Sequence, residues 1–203
     1  MPFTALGEPC VLLKLGEVVL KGRNRDLFET RLRANVKHAL KDHPIRLRQR
    51  HGVIVVFLPK GAGAEVAEAV AKRATEIPGI VLVQLAWRVP KDPDAITKAA
   101  VELVRDSGKA ESGARFAVRS RRRDKRFPLR SNELDRLVGG VIKDTFGLPV
   151  DLTDPELTVY IEVDRDEAFL YTDGLQGTGG LPVGSSGRAL ALRPGGIDSP
   201  VAA

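Results

Sequence analysis

The chain has 203 residues, 43% hydrophobic and 29% charged, an ordinary balance for one ample globular domain or two compact ones. No apolar run approaches the roughly eighteen residues a membrane helix needs, and the opening MPFTALGEPC lacks the basic start and apolar core of a signal peptide. A single cysteine, Cys10, excludes an internal disulfide framework, reads as inert and fits a reducing cytoplasm, where the protein is expected to reside.

The predicted elements begin with VLLKL (Val11 to Leu15), a short apolar strand. Gly16 and Gly22 bracket EVVLK, and Asn24 can cap a helix carrying Leu27, Phe28, Leu32, Val36 and Leu40, which Pro44 ends. IRLRQ alternates with period two, Gly52 permits a tight turn and VIVVFL reads as a buried partner strand, so a hairpin is expected. AEVAEAVAKRA is an amphipathic helix and GIVLVQLAW a strand ending before Pro90. The order β-α-β-β-α-β is the split arrangement of a ferredoxin-like fold.

Asp92-Pro93 is a helix start, with Ile96, Ala99, Ala100, Leu103 and Val104 on one face and Ser107-Gly108 as the stop. RFAVRSR alternates as a strand with Phe116 and Val118 pointing one way. Ser131 is expected to cap a helix with an apolar stripe of Leu134, Leu137, Val138, Val141, Ile142 and Phe146, closed by Gly147 and Pro149. LTVYIEV and AFLYT flank DRDE as a last hairpin, and 173–187 reads as a glycine-rich connector. The fold class is therefore α+β. The domains are a ferredoxin-like unit over 1–90, an α/β unit over 91–173, and a linker with the start of a further α/β domain over 174–203.

The net charge of +6 is concentrated. Lys21 to His51 holds ten Lys/Arg against three acids, and Arg115 to Arg136 nine against three, so the rest of the chain is acidic. Two basic segments on an acidic protein are the distribution expected of a polyanion footprint, and one continuous positive surface is the expectation. In the second segment a strand presents Arg115, Arg119 and Arg121 on one side. A loop of Arg122, Arg123, Lys125 and Arg126 follows, and then a helix N-terminus whose N–H groups favour phosphate. Phe127 is either a flat face for an exposed base or part of the core. Seven cations within twelve residues repel one another unless something anionic compensates.

RSRRRDKRFPLRSNEL, followed by an amphipathic helix, resembles the THUMP domain, an RNA-binding module of tRNA-modifying enzymes. LKLGEVVLKGRNRDLFETRL looks like the N-terminal ferredoxin-like domain of one family that carries THUMP, the tRNA uracil 4-sulfurtransferases (4-thiouridine synthetases). The tail GGLPVGSSGRALALRPGGIDSPVAA is similar to the stretch where that family opens its pyrophosphatase-loop domain. Here the loop is PGGIDS, with Pro194 where the family has a serine, a change that removes a hydroxyl and a backbone donor.

The resemblance implies RNA contacts at Lys21, Arg23, Arg25, Arg119, Arg121, Arg122, Arg123, Lys125, Arg126, Phe127 and Arg130. It implies ATP, with Mg in the complete enzyme, at Leu192, Arg193, Gly195, Gly196, Asp198 and Ser199. No metal-ligating cluster is expected. The implied activity is 4-thiouridine formation at tRNA position eight and sulfur supply for thiamine thiazole. The implied partners are tRNA, a cysteine desulfurase as sulfur donor and a sulfur-carrier protein, with a homodimer allowed and no membrane. The family's sulfur-carrying cysteines are expected beyond Ala203, so the chain reads as the N-terminal half of such an enzyme, inactive alone. The alternatives are a stand-alone THUMP-type RNA-binding protein, the tRNA-holding half of a methyltransferase, and a basic protein that binds acidic partners without RNA.

Overall fold

The structure is a computed structural model and describes residues 7–16, 25–50, 52–59, 61–185 and 187. Its elements run β1 (Glu8–Leu15), α1 (Arg25–Ala39), β2 (Arg46–Arg50), β3 (Val53–Phe57), α2 (Ala64–Thr75), β4 (Ile80–Pro90), α3 (Pro93–Asp106), β5 (Phe116–Arg122), α4 (Ser131–Phe146), β6 (Leu157–Val163), β7 (Glu167–Tyr171) and β8 (Leu175–Gln176). All eight strands join one sheet in the order β2-β3-β1-β4-β7-β6-β5, with β8 laid against β4. The first four strands are antiparallel neighbours in ferredoxin-like order. The α/β unit that follows adds a parallel β5–β6 pair and an antiparallel β6–β7 pair.

β4 is the seam between the units. Along one edge it pairs with β1 from Glu8↔Arg88 to Leu15↔Ile80. Along the other, Leu82 and Val83 meet β8, and Trp87 to Pro90 meet β7. The strand expected to stop before Pro90 runs through it; Pro90 is its last residue, where a missing N–H costs the ladder least.

The helices follow from their sequences. Asp92 accepts the Ala95 N–H at 2.9 Å, Pro93 opens α3, and Ile96, Ala99, Ala100, Leu103 and Val104 are buried. α4 buries Leu134, Val138 and Ile142, spaced four apart. Gly147, at φ 68°, closes α4 by donating its N–H to the Lys143 carbonyl at 2.7 Å. The expected cap at Ser131 is not found. Arg130 holds that position, and the Glu133 carboxylate accepts the Arg130 N–H at 2.6 Å. Leu137, read as part of the apolar stripe, is 42% exposed.

Side-chain alternation puts Val11, Leu13, Ile54, Val56 and Val83 beneath α1 and α2. Phe116, Val118, Val159, Ile161, Leu170 and Val89 lie beneath α3 and α4. Val83 and Val89 are an even number of residues apart on β4, so all four helices cover the same side of the sheet. The glycine-rich run is more than a connector. Gly177 donates its N–H to the Val81 carbonyl at 3.0 Å and Thr178 to that of Thr75 at 2.9 Å. A Cβ at Gly177 would sit 2.3 Å from the Ile80 carbonyl oxygen, so only glycine permits this approach. Further on, Asn35 Nδ2 donates to the Val183 carbonyl at 3.1 Å, which lays the run across α1.

Candidate nucleic-acid interface

β5 is an outer strand of the sheet, and its register sets Arg119 beside Tyr160 and Arg121 beside Glu162 on the helix-free face. Both arginines are exposed; Arg119 Nη2 donates to the Leu152 carbonyl at 3.3 Å. The loop after β5 is organised from within. Asp124, 5% exposed, accepts from Lys91 Nζ at 2.9 Å, from the Arg126 N–H at 3.0 Å, and from Arg126 Nε and Nη2 at 3.1 and 3.2 Å. The Arg126 guanidinium, with Lys91 and the Arg126 N–H, holds the Asp124 carboxyl well below the usual carboxylate range. Arg122, half-buried, donates Nη1 to the Phe127 carbonyl at 3.3 Å. Arg123 donates its N–H to Val163 at 2.8 Å and sets its guanidinium 3.6 Å from Glu162. Lys125, Arg126 and Arg130 face solvent, Arg126 with 80% of its side chain exposed.

Phe127 is 3% exposed and packs in the core under α3 and α4. Its ring offers no face to a base, and of the two readings left open by the sequence the core one holds.

The first basic segment is laid out differently from the expectation. Lys21 and Arg23 fall outside the described residues. Arg25 opens α1 with its Nε 2.6 Å from Glu29. Arg46, Arg48 and Arg50 alternate along β2 onto the helix-free face, opposite Phe57, Val55 and Val53. There they roof a third apolar cluster of Cys10, Leu12, Val53, Val55, Phe57, Ala86, Phe169 and Tyr171. Arg46, Arg48 and Arg88 stand 5.3, 5.0 and 5.3 Å from the Phe57 ring, and Arg50 stands 4.5 Å from that of Phe169.

Acids, all but one of them from the second unit, pair with this cationic layer. Arg48 pairs with Glu167, Arg50 with Asp164, Lys14 with Glu162, and Arg88 with Glu8 and Glu167 at 3.1 and 3.3 Å. Burial pushes the Glu162 carboxyl up, but Lys14, the Tyr171 hydroxyl and Arg123 outweigh it and hold the group below its usual range.

Among the described residues, the β2 arginines and the cations of β5 and its loop therefore do not merge into one positive surface. β2 and β5 are opposite ends of the sheet path, six strand spacings or roughly 30 Å apart, and the face between them is neutralised by Glu8, Glu162, Asp164 and Glu167. One exposed positive group lies at the β5 end, Arg119, Arg121, Lys125, Arg126 and Arg130, and another along α1, where Arg31, Arg33, Lys37 and the adjoining Lys41 face solvent.

Sequence reasoning missed three residues here. Asp124 is passed over in a sequence reading that attends to the loop's cations, and only tertiary contacts show it as the loop's hub. Tyr160 and Glu162 had a usable signal, since the alternation of LTVYIEV places both on the face opposite Val159 and Ile161. They line a groove of about 550 Å³ with Lys14, Gln84, Arg119, Arg121, Tyr171 and Asp173. Cys10 is 1% exposed, and burial pushes its thiol up to about 12, which makes it inert at neutral pH.

Leu192, Arg193, Gly195, Gly196, Asp198 and Ser199 lie outside the described residues. Among the described residues no three His, Cys, Asp or Glu side chains gather in a way that could hold a metal ion, and no helix is long and apolar enough to cross a membrane.

Comparison with known proteins agrees with this architecture. The family profile of the ThiI ferredoxin-like domain matches residues 10–83, and that of the THUMP domain matches residues 90–173. A probable tRNA sulfurtransferase of Nocardia farcinica is 44% identical over 96% of this chain and 47% of its own length. A crystal structure of a 4-thiouridine synthetase–RNA complex with bound ATP superposes with a TM-score of 0.77 at 26% identity, over 96% of this chain and 48% of that one. PH1313 from Pyrococcus horikoshii superposes at 0.76 with 29% identity, over 90% of this chain and 60% of that one. The chain spans about half the length of the curated relatives it matches. The chain carries a ThiI ferredoxin-like domain followed by a THUMP domain, and over 96% of its length it is similar to one half of a curated probable tRNA sulfurtransferase.

Proposed function

We propose that the units over 1–90 and 91–173 act together as the tRNA-holding half of an ATP-dependent sulfurtransferase. That enzyme makes 4-thiouridine at tRNA position eight and supplies sulfur for thiamine thiazole. One observation carries the reading. Acids cancel the cations across most of the helix-free face but leave Arg119, Arg121, Lys125, Arg126 and Arg130 turned to solvent at one edge. Cations fixed on a strand, a braced loop and a helix N-terminus suit a phosphodiester backbone, which positions the RNA without reading its sequence.

ATP, when bound, activates the uridine oxygen for displacement by sulfur. The residues the family resemblance gives it begin at Leu192, and the described residues contribute binding and orientation of the RNA only. A cysteine desulfurase and a sulfur-carrier protein are the partners this reading requires, and the cytoplasm is its compartment.

The test is tRNA binding by fluorescence anisotropy over a salt series. Each phosphate neutralised should contribute about 0.7–0.9 to the fall of log affinity with log salt. Affinity that ignores salt, or no binding at low ionic strength, overturns the reading. Incubating the chain with tRNA, ATP, cysteine and desulfurase should yield no 4-thiouridine, and its appearance would refute a holding role without catalysis.

A further inference from the structure

β2 is the outer strand at the far end of the sheet, and register decides which of its main-chain groups are free. Leu15 donates its N–H to the Gly52 carbonyl at 3.0 Å, so the odd-numbered residues of β1 turn their main-chain groups toward β3. Opposite them Ile54 and Val56 bond β1, which leaves Val53, Val55 and Phe57 to bond β2. Their partners there are Arg50, Arg48 and Arg46. The N–H and C=O groups of Leu47 and Gln49 therefore point away from the sheet, and among the described residues they have no main-chain partner. The opposite edge is closed: Phe116 exchanges main-chain bonds with Pro149 and Asp151, and Asp135 takes the Ser120 N–H at 2.7 Å. A groove of about 490 Å³ runs along the β2 edge. Arg46 and Arg48 line it from the helix-free face and Arg33 and Lys37 from α1, with the half-buried Ile45 and Leu47 between them and no carboxylate. Among the described residues no ion pair engages Arg33, Lys37 or Arg46.

We propose that the β2 edge is a docking site for an extended acidic segment of a partner protein, which adds to the sheet as a further strand. The site is independent of the RNA-holding reading above. Leu47 and Gln49 each offer one donor and one acceptor, and a peptide backbone supplies the complement of both. A phosphodiester only accepts, so it would leave both carbonyls facing it unmet. A second copy of β2 would bring the row of Arg46, Arg48 and Arg50 against itself, and like charges across a strand pair repel. Successive side chains of an added strand fall on alternate faces. Acidic ones reach Arg46 and Arg48 on one face and Arg33 and Lys37 on the other, while an apolar one packs on Leu47. The buried Gln49 Oε1 has no donor among the described residues and gives the segment one more acceptor.

The experiment titrates a capped peptide of alternating glutamate and valine, about seven residues long, into the isotopically labelled chain. The Leu47 and Gln49 amides should shift and gain protection from hydrogen exchange, while those of Arg46 and Arg48, already bonded to β3, keep the protection they have. Gln49→Pro removes one outward N–H without touching the β3 ladder and should weaken the peptide at least about fivefold. Gln49→Ala keeps that N–H and should bind as the parent does, with tRNA affinity the same in all three. Where Gln49→Pro does not fold, Arg33→Glu combined with Lys37→Glu gives the second reading, again a loss of at least about fivefold for the acidic peptide. No protection of Leu47 and Gln49 in peptide up to about 1 mM overturns the site. Equal affinity in a folded Gln49→Pro and the parent also overturns it, by reducing the contact to charge alone. Protection of those amides by duplex RNA but not by the peptide makes the edge a phosphate contact and overturns the protein partner. Loss of tRNA binding in the parent, with the peptide still bound, overturns the holding role and supports the docking site.

Discussion

Arg121 and Arg123 are two residues apart, and each removes one positive charge when replaced by alanine, yet the structure predicts opposite outcomes. Arg121 stands exposed on the outer strand. Arg123 has 21% of its side chain exposed and sets its guanidinium 3.6 Å from Glu162, which is 6% exposed and also takes Lys14 and the Tyr171 hydroxyl. Arg121→Ala should therefore lower the salt slope of tRNA binding by about 0.7–0.9, the share of one phosphate. Between roughly 50 and 200 mM salt, a fourfold range, that difference amounts to about threefold in relative affinity. Its melting temperature should stay put, as for most surface substitutions. Arg123→Ala should keep the slope and lose about 1–2 kcal/mol of stability, because a buried carboxylate gives up one of its partners. For a chain of 203 residues this is a fall of about 2–8 °C in Tm. Anisotropy titrations at several salt concentrations, with calorimetry on the same preparations, separate the two effects. Equal loss of slope in both variants, or loss of Tm in Arg121→Ala alone, would show that neighbouring charges act as one patch and that the ion-pair reading is wrong.

Asp124→Asn removes a negative charge from the chain and should nonetheless weaken tRNA binding, because Arg126 and Lys91 lose the carboxylate that fixes the loop; faster trypsin cleavage after Lys125 or Arg126 in the folded protein reports the same loosening, and tighter binding would refute it. Glu162 has a depressed folded pKa, so its contribution to stability is present above the usual carboxylate range and is lost as pH falls through the folded value. Tm measured from neutral pH into acid should fall more steeply in the parent than in Glu162→Gln, with the two curves converging at low pH. Gly177→Ala should cost about 1–3 kcal/mol and free the amides of 177–179 to hydrogen exchange, since its Cβ meets the Ile80 carbonyl. Cys10 should resist alkylation near pH 8 in the folded protein and react fully in denaturant, its thiol standing near 12 when buried.

Much of the fold was legible because local periodicity and core burial agree. The α3 stripe and its Asp92 cap, the α4 stripe from Leu134 to Ile142, and the hairpin turning near Gly52 each follow from spacing alone. β8 was not legible. Two residues between Gly174 and Gly177 carry no periodic signal, and what makes them a strand is the open edge of β4 at Leu82 and Val83. Phe127 sits in RRRDKRFP, where no neighbour hints at an interior, and it is drawn inside by a core whose other members come from α3, α4 and β4. The ATP-loop residues lie outside the described structure, so that part of the sequence reading stands on resemblance alone.

The charge pattern was the least legible feature, for a physical reason. IRLRQR reads as one strand face offered to solvent, and composition counts its arginines toward a polyanion footprint. The acids that answer them are Asp164 and Glu167, more than a hundred residues away, and Lys14 meets Glu162 at a separation of 148. A local charge count cannot see such pairs. Because β4 joins both units in one sheet, the second unit brings its carboxylates across the seam onto the first unit's cations. The layer therefore sews the units together, while cations along β5 and at the α4 N-terminus stay turned to solvent. A basic segment in sequence becomes a phosphate-binding surface only where the fold supplies no carboxylate opposite it. By that criterion the exposed cations of the second segment are the candidates for phosphate, while Arg48 and Arg50 of the first are paired within the protein.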